Sequence, residues 1–244
     1  MYYATTLQKK CKKVAKKIFY LYLPYGKTKA LQHMRSEVFN TDCLQAMKNY
    51  PDKYFELAIV DPPYGLGCFG NRVELNPRID KEGKINKWDK KPSPEYFTEL
   101  FRISKNQIVW GANNFEMPPS EYFCVWDKKQ TVDNFASAEY AWVSMGLKMP
   151  AKIFTYSIHQ LMAERKAKGG KIHPTQKPVA LYRWLLQNYA KEGDKILDTH
   201  LGSGSSRIAA DMEGYDFTGY ELDTDYFNAS VKRFNEYKMQ IKLL

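Results

Sequence analysis

The chain has 244 residues, of which 44% are apolar and 15% are aromatic. This length fits one α/β domain with some elaboration, and this composition excludes a disordered chain. No apolar stretch approaches the ~20 residues that a membrane-spanning helix needs, so no membrane association is expected. The formal net charge of +10 favours an anionic partner.

The positive charge is concentrated at the N-terminus. Residues 1–36 contain nine Lys or Arg and no Asp or Glu, whereas the charges of residues 37–244 almost balance. We therefore predict a basic arm over 1–36 and a globular domain over 37–244. The arm either contacts phosphates or serves as a solvated extension, and the sequence favours neither. A mitochondrial presequence fits less well, because the arm has a single Arg.

Cysteine usage indicates the compartment. The four cysteines are scattered and form no C-x-x-C pair: Cys11, Cys43, Cys68 and Cys124. This fits a reducing cytoplasm and argues against a disulfide scaffold or a zinc knuckle. No metal site is predicted.

In chain order, the first predicted elements lead into a buried strand. Residues 37–65 (EVFNTDCLQAMKNYPDKYFELAIVDPPYG) predict a strand, an acidic turn, a short helix and a second, apolar strand. Residues 66–94 are rich in Gly, Asn, Lys and Pro and predict a long loop, which in a compact domain is often functional. SPEYFTELFRISK then has helical spacing of Tyr96, Leu100 and Ile103.

The second half alternates strands and helices. NQIVWGANNF, EYFCVWDKK and EYAWVSM predict strands, with their tryptophans in the core: Trp110, Trp126 and Trp142. Residues 157–172 predict a polar, basic loop. The segment after Pro178 (VALYRWLLQNYA) predicts an amphipathic helix, and residues 191–223 predict strand, glycine-rich turn, helix and strand. The alternation predicts a doubly wound, parallel, Rossmann-like α/β sheet.

The glycine-rich turn predicts a nucleoside site. The strand KILD ends at Asp198, Gly202 and Gly204 follow before a helix, and Glu221 ends the next strand. Glycines let a ligand approach the backbone, and an acid at the end of the next strand can accept both hydroxyls of a ribose. A dinucleotide site would favour a small residue at position 207, where this chain has Arg207. The pattern therefore favours S-adenosylmethionine (SAM) over NAD.

A second set of side chains ends the buried strand LAIV. Asp61, Pro62, Pro63 and Tyr64 follow it, at the sheet edge where open α/β proteins bind ligands. A carboxylate, carbonyls beside prolines that lack N–H groups, and a flat aromatic ring suit the amino group of a planar base. A base in duplex DNA must be flipped out to reach such a pocket. Alone, DPPY also fits an ordinary strand-end turn.

These segments together resemble the amino-methylating DNA methyltransferases, which act on adenine N6 or cytosine N4. DPPYG resembles their catalytic motif, DTHLGSGSS their SAM-binding glycine motif, and HPTQKP (His173–Pro178) the segment that holds the methionine part of SAM. With the catalytic motif first, the order is that of the permuted β group. NTDCLQAM resembles the segment that contacts the cofactor adenine. The similarity covers about residues 37–235.

The resemblance implies a role for each matching residue. Asp61, Pro62, Pro63 and Tyr64 are the expected catalytic residues, acting by direct methyl transfer to a flipped adenine. The expected SAM-binding residues are Asp42, Thr175, Lys177, Asp198, Gly202, Gly204, Ser205 and Glu221. The family often has Phe at the position of His200, and a neutral His can also pack against SAM.

The expected function is site-specific methylation of double-stranded DNA, as in restriction–modification systems. Adenine N6 is favoured, because an Asp opens the motif more often in adenine enzymes and a Ser more often in cytosine-N4 enzymes. The loops 66–94 and 157–172, the latter with Lys166, Lys168 and Lys171, are candidate DNA contacts. Alternatives are cytosine-N4 or RNA methylation, a catalytically silent DNA-binding module, and a nicotinamide-dependent dehydrogenase. The amino-acid sequence specifies neither the DNA recognition sequence nor the oligomeric state, for which a dimer is one candidate.

Overall fold

The computed structural model describes residues 34–65, 90–133, 135–167 and 170–242. The sheet and the site lie within one compact unit, Met34–Asn235. Most of the predicted arm (residues 1–33), most of the first predicted loop (66–89) and Lys168 lie outside the described residues. The arm and its boundary with the domain therefore stay predictions.

The described residues form an eight-stranded sheet with helices between the strands. The strands, in chain order, are β1 (Ser36–Asn40), β2 (Phe55–Val60), β3 (Ser104–Trp110), β4 (Phe123–Asp127), β5 (Ala138–Val143), β6 (Lys152–Thr155), β7 (Lys195–Asp198) and β8 (Asp216–Glu221). The helices are α1 (Cys43–Met47), α2 (Pro94–Ile103), α3 (Ile158–Ala167), α4 (Val179–Tyr189), α5 (Ser205–Glu213) and α6 (Thr224–Lys242).

The strand order across the sheet is β1-β8-β7-β2-β3-β5-β4-β6. Every neighbouring pair is parallel except β3 with β5 and β5 with β4. The Rossmann-like α/β sheet is thus confirmed, with one correction: β5 runs against the other strands. Because it is reversed, the beginning of β5 lies at the same sheet edge as the carboxyl ends of its neighbours.

The central strands are buried on both faces. In β2, Ala58 and Val60 share a core cluster with α1 and α2, while Leu57 and Ile59 alternate with them and are also buried. Burial on both faces explains why β2 is a continuous apolar run in the sequence. The three strand tryptophans are at most 6% exposed, as predicted for core residues.

Helix α2 confirms the predicted helical spacing. Pro94 stands at its first turn, where a missing N–H costs nothing, and Tyr96, Leu100 and Ile103 are buried. None of the helices among these ranges is both long and apolar enough to cross a bilayer.

The predicted loop 157–172 is largely helical, and this corrects the sequence reading. Ser157 Oγ accepts the Gln160 N–H at 3.1 Å, and Gln160 Oε1 accepts the Ser157 N–H at 2.9 Å. This reciprocal capping box starts α3, and Leu161 anchors it in the core. Lys166 on α3 and Lys171 after it are exposed, so their contact with DNA stays a prediction.

Candidate active site

The two predicted halves of the site meet at one edge of the sheet. Asp61 follows β2, Asp198 is the last residue of β7, and Glu221 is the last residue of β8. These three strands are adjacent and parallel, so their carboxyl ends lie side by side. This is the edge where open α/β sheets bind ligands.

The Asp61 carboxylate is held from both sides. Tyr64 donates its hydroxyl hydrogen to Oδ1 at 2.9 Å, and the Lys177 ammonium pairs with Oδ2. Between Asp61 and Tyr64, Pro62 is buried and Pro63 is half-buried. The structure therefore places the four predicted catalytic residues together at the end of β2.

The Tyr64 ring packs against a glycine that begins the turn after β3. Gly111 has φ of +64°, and a Cβ at that position would lie 2.1 Å from the Tyr64 ring. The edge of Tyr64 also meets Phe115, with ring centroids 6.2 Å apart. Position 111 must be glycine for the Tyr64 ring to lie here, because any side chain at that position would displace the ring.

Lys177, one of the predicted cofactor residues, links the two halves of the site. Its carbonyl accepts the Ser205 hydroxyl at 2.8 Å, which ties it to the glycine turn, but its ammonium points to Asp61. The same ammonium lies 3.2 Å from Glu139 Oε2 and 5.5 Å from the centre of the Trp110 ring. Lys177 thus connects the glycine turn with the DPPY segment, and its charge is on the DPPY side.

Burial and charge oppose each other in this cluster. Burial raises the pKa of Asp61, and the Lys177 charge counteracts this only in part. Burial also acts to lower the pKa of Lys177, but Asp61 and Glu139 outweigh it, so that pKa lies well above its usual value. For Glu139, the ammonium groups of Lys177 and Lys128 outweigh burial and lower the pKa. Lys177 therefore stays charged.

The glycine turn has the backbone that the sequence predicts. Gly202 and Gly204 have φ of +52° and +72°, values that residues with a side chain rarely adopt. The Gly202 N–H donates to Glu221 Oε2 at 2.7 Å, and the Asp223 N–H donates to Glu221 Oε1 at 3.0 Å. Each Glu221 oxygen keeps a lone pair for a further donor, so the turn and this carboxylate fit an adenosine-containing ligand.

Asp198 supports the turn from within. Its carboxylate accepts the Ser206 hydroxyl at 2.5 Å and the His200 N–H at 3.0 Å. Burial raises the pKa of Asp198 to about 7. These contacts lie within the protein, so its observed contribution is to shape the turn.

His200 takes the place of the family's usual aromatic residue. Burial lowers the pKa of His200 to about 4, so the ring is neutral at neutral pH. It meets the edge of Tyr96, with ring centroids 5.4 Å apart, and Nδ1 lies 2.9 Å from Thr199 Oγ1. The neutral ring packs as an aromatic side chain does.

The other predicted cofactor residues also have partners within the protein. Asp42 caps α1 by accepting the Gln45 N–H at 3.1 Å. The Thr175 hydroxyl lies 3.0 Å from His173 Nδ1. Ser205 is buried and is 2.9 Å from the guanidinium of Arg233. A contact of these residues with SAM stays a prediction.

Two site residues escaped sequence reasoning. Glu139 is the second residue of β5 and reaches the Asp61 cluster only because that strand is reversed. Arg233, on α6, donates to the Ser203 carbonyl at 2.9 Å and so braces the glycine turn. The only sequence signal for Glu139 is an acid at the start of an otherwise apolar strand, whereas Arg233 has none.

Residues 88–232 match the family model N6_N4_Mtase, described as DNA methylase. The chain belongs to this family of DNA methylases. It is therefore a SAM-dependent DNA methyltransferase of the N6-adenine/N4-cytosine type. This confirms the predicted family and cofactor and removes the dehydrogenase alternative.

Individual relatives support the same family of DNA methylases. The Type II methyltransferase M.HinfI of Haemophilus influenzae is 25% identical over 250 residues, which cover 82% of this chain and 68% of that protein. Among solved structures, the cytosine-N4-specific PvuII DNA methyltransferase has a TM-score of 0.54 at 15% identity, covering 82% of this chain and 87% of the other. The M1.HpyAVI–SAM complex has a TM-score of 0.51 at 18% identity, covering 81% and 98%. At these identities the two structures show a shared fold.

Proposed function

We propose that this methyltransferase transfers the methyl group of SAM to N6 of adenine flipped out of double-stranded DNA. The observation that carries the proposal is the Asp61 carboxylate at the end of β2, held by Tyr64 and Lys177. The resemblance of DPPY to the adenine enzymes favours adenine. The shared fold with a cytosine-N4-specific enzyme keeps cytosine N4 as the alternative.

In this proposal, Asp61 and the Pro62 carbonyl accept hydrogen bonds from the two N–H groups of the target amino group, and the base stacks on the Tyr64 ring. When both N–H groups are hydrogen-bonded in this way, the nitrogen lone pair points toward the methyl group. Orientation of this kind provides much of the rate enhancement. Bound SAM supplies an electrophilic methyl group on a positively charged sulfur. As the bond from the nitrogen to the methyl carbon forms, the bond from that carbon to the sulfur breaks and the sulfur becomes neutral. The Asp61 carboxylate stabilises the positive charge on the nitrogen, which then releases one proton to solvent.

The proposed cofactor contacts follow the turn geometry. Glu221 would accept the ribose hydroxyls, and Gly202 and Gly204 would let the cofactor approach the backbone. Asp42 is proposed near the adenine and Thr175 near the methionine part, while Asp198 and Ser205 shape the turn. The Type II methyltransferase relative supports a role in the modification half of a restriction–modification system.

The product base tests the proposal. The chain is expressed in a bacterial host without DNA methylation, and modified bases are mapped across the genome and in total RNA. We expect N6-methyladenine at one short, recurring DNA sequence, and none with an Asp61→Asn variant. N4-methylcytosine instead would establish the alternative. Methylated RNA with unmodified DNA, or SAM binding with no modified base, would contradict the proposal.

Glu221→Gln is expected to weaken SAM binding by about 2 kcal/mol, because a charged acceptor of hydrogen bonds is lost. Glutamine keeps one oxygen for the Gly202 N–H, so the turn itself should survive. Isothermal titration calorimetry with SAM measures the change. Asp223→Asn is the matched control, because its carboxylate caps α6 by accepting the Asp225 and Tyr226 N–H groups. Equal affinity of wild type and Glu221→Gln would remove Glu221 from the pocket.

A further inference from the structure

A carboxylate that the mechanism has not used lies beside Asp61. The Lys177 ammonium, with a side chain only 3% exposed, contacts Asp61 and lies 3.2 Å from Glu139 Oε2. One buried cation therefore lies between two carboxylates.

Glu139 is itself held in place. Its other oxygen, Oε1, pairs with the Lys128 ammonium at 2.6 Å, and Lys128 also lies 5.1 Å from the centre of the Trp126 ring. Lys128 directly follows β4, the strand that pairs with β5. Glu139 is thus fixed between two lysines, with one oxygen directed at Lys177.

We propose that Glu139 is a positioning residue for methyl transfer, which holds the Lys177 ammonium between two carboxylates so that Asp61 remains a strong acceptor for the target amino group. The inference rests on the proposed role of Asp61. Without the Glu139 charge, the ammonium would belong to Asp61 alone. That ion pair would be neutral, and the Asp61 carboxylate would already have its hydrogen-bond donor before the base arrives.

The charge that develops in the reaction gives this arrangement its value. Positive charge appears on the target nitrogen next to Asp61, in a site with little water to screen it. A carboxylate that is already fixed in place stabilises it without reorganisation during the reaction. Lys177 at the same time holds Asp61 Oδ2, so its orientation is set before the base enters.

The test compares Glu139→Gln, which removes the charge and keeps the shape, with Glu213→Gln. Glu213 is a matched control, because it forms an equally short ion pair with Arg183, 2.6 Å, between α5 and α4. Single-turnover methyl transfer is measured with radiolabelled SAM at saturating DNA. Rates are expressed per SAM-binding site, so unfolded molecules do not count. SAM affinity and Tm are measured on the same samples.

For Glu139→Gln we expect a rate loss of about tenfold or more, less than the ~10²–10³-fold loss typical of a directly contacting group. SAM affinity should stay within about twofold, and the change in Tm should resemble that of Glu213→Gln. Glu139→Asp, which keeps the charge, should retain more of the rate than Glu139→Gln. If Glu139→Gln fails to fold, Glu139→Asp becomes the test variant. Its rate is then compared with that of wild type, and we expect at most a small loss.

A wild-type rate for Glu139→Gln, or equal losses in its Asp and Gln forms, would overturn the inference. So would a loss that follows SAM affinity. Asp61→Asn separates this failure from a failure of the proposed function. If Asp61→Asn is inactive while Glu139→Gln is fully active, only the role of Glu139 is wrong. If Asp61→Asn is also active, the proposed role of Asp61 fails.

Discussion

Replacing Asp61 by asparagine is expected to lower the single-turnover rate of methyl transfer by about 10³-fold. Asparagine has nearly the same shape, but its neutral amide accepts the target N–H weakly and cannot balance charge on the nitrogen. Rapid-quench assays with radiolabelled SAM and saturating duplex DNA measure the rate. SAM affinity should remain within about threefold, because Asp61 is not among the predicted cofactor residues.

Two features keep this experiment interpretable. Lys177 retains Glu139 as a partner when Asp61 is neutral, so the fold should survive. A parallel Asp52→Asn variant controls for loss of an acid that pairs with Arg102 at the surface, where its side chain is 76% exposed. A rate for Asp61→Asn within tenfold of wild type would show that another group orients the target amine.

Lys177→Met is expected to destabilise the fold by about 3–5 kcal/mol, because it leaves the Asp61 carboxylate without its buried cation, while Glu139 keeps only Lys128. The side chains of Lys177 and Asp61 are only 3% and 12% exposed. Water can therefore replace little of the lost interaction. Urea unfolding, followed by circular dichroism, measures the difference in the free energy of unfolding.

Lys105→Met is the matched control for this loss. Lys105 also pairs with a glutamate, Glu56, but its side chain is 51% exposed, so a change of about 1 kcal/mol or less is expected. The double variant Lys177→Met/Asp61→Asn should recover part of the lost stability, since the uncompensated carboxylate disappears. Equal, small effects of Lys177→Met and Lys105→Met would contradict a buried, shared ion pair.

Local patterns in the sequence predict most of the elements and the ends of the strands. The apolar run of β2 ends at Asp61, and a strand followed by Gly202 and Gly204 predicts the turn before α5, because these are local patterns of burial and backbone conformation. Parallel strands align their carboxyl ends, so Asp61 and Glu221 could be assigned to one edge without coordinates. The capping box at Ser157 is also local, but the polar composition of its segment resembles that of a loop.

Only the tertiary structure decided what surrounds Asp61. The direction of β5 depends on its pairing with β3, which is distant in sequence, and with β4, which is joined to it by a loop. This direction brings Glu139 to the edge of the sheet where Asp61 lies. The family motif predicts Lys177 as a cofactor residue, and the fold adds that its ammonium lies beside Asp61 and Glu139. Strand direction and the course of a flexible side chain follow from long-range packing and charge, which no local pattern in the sequence encodes.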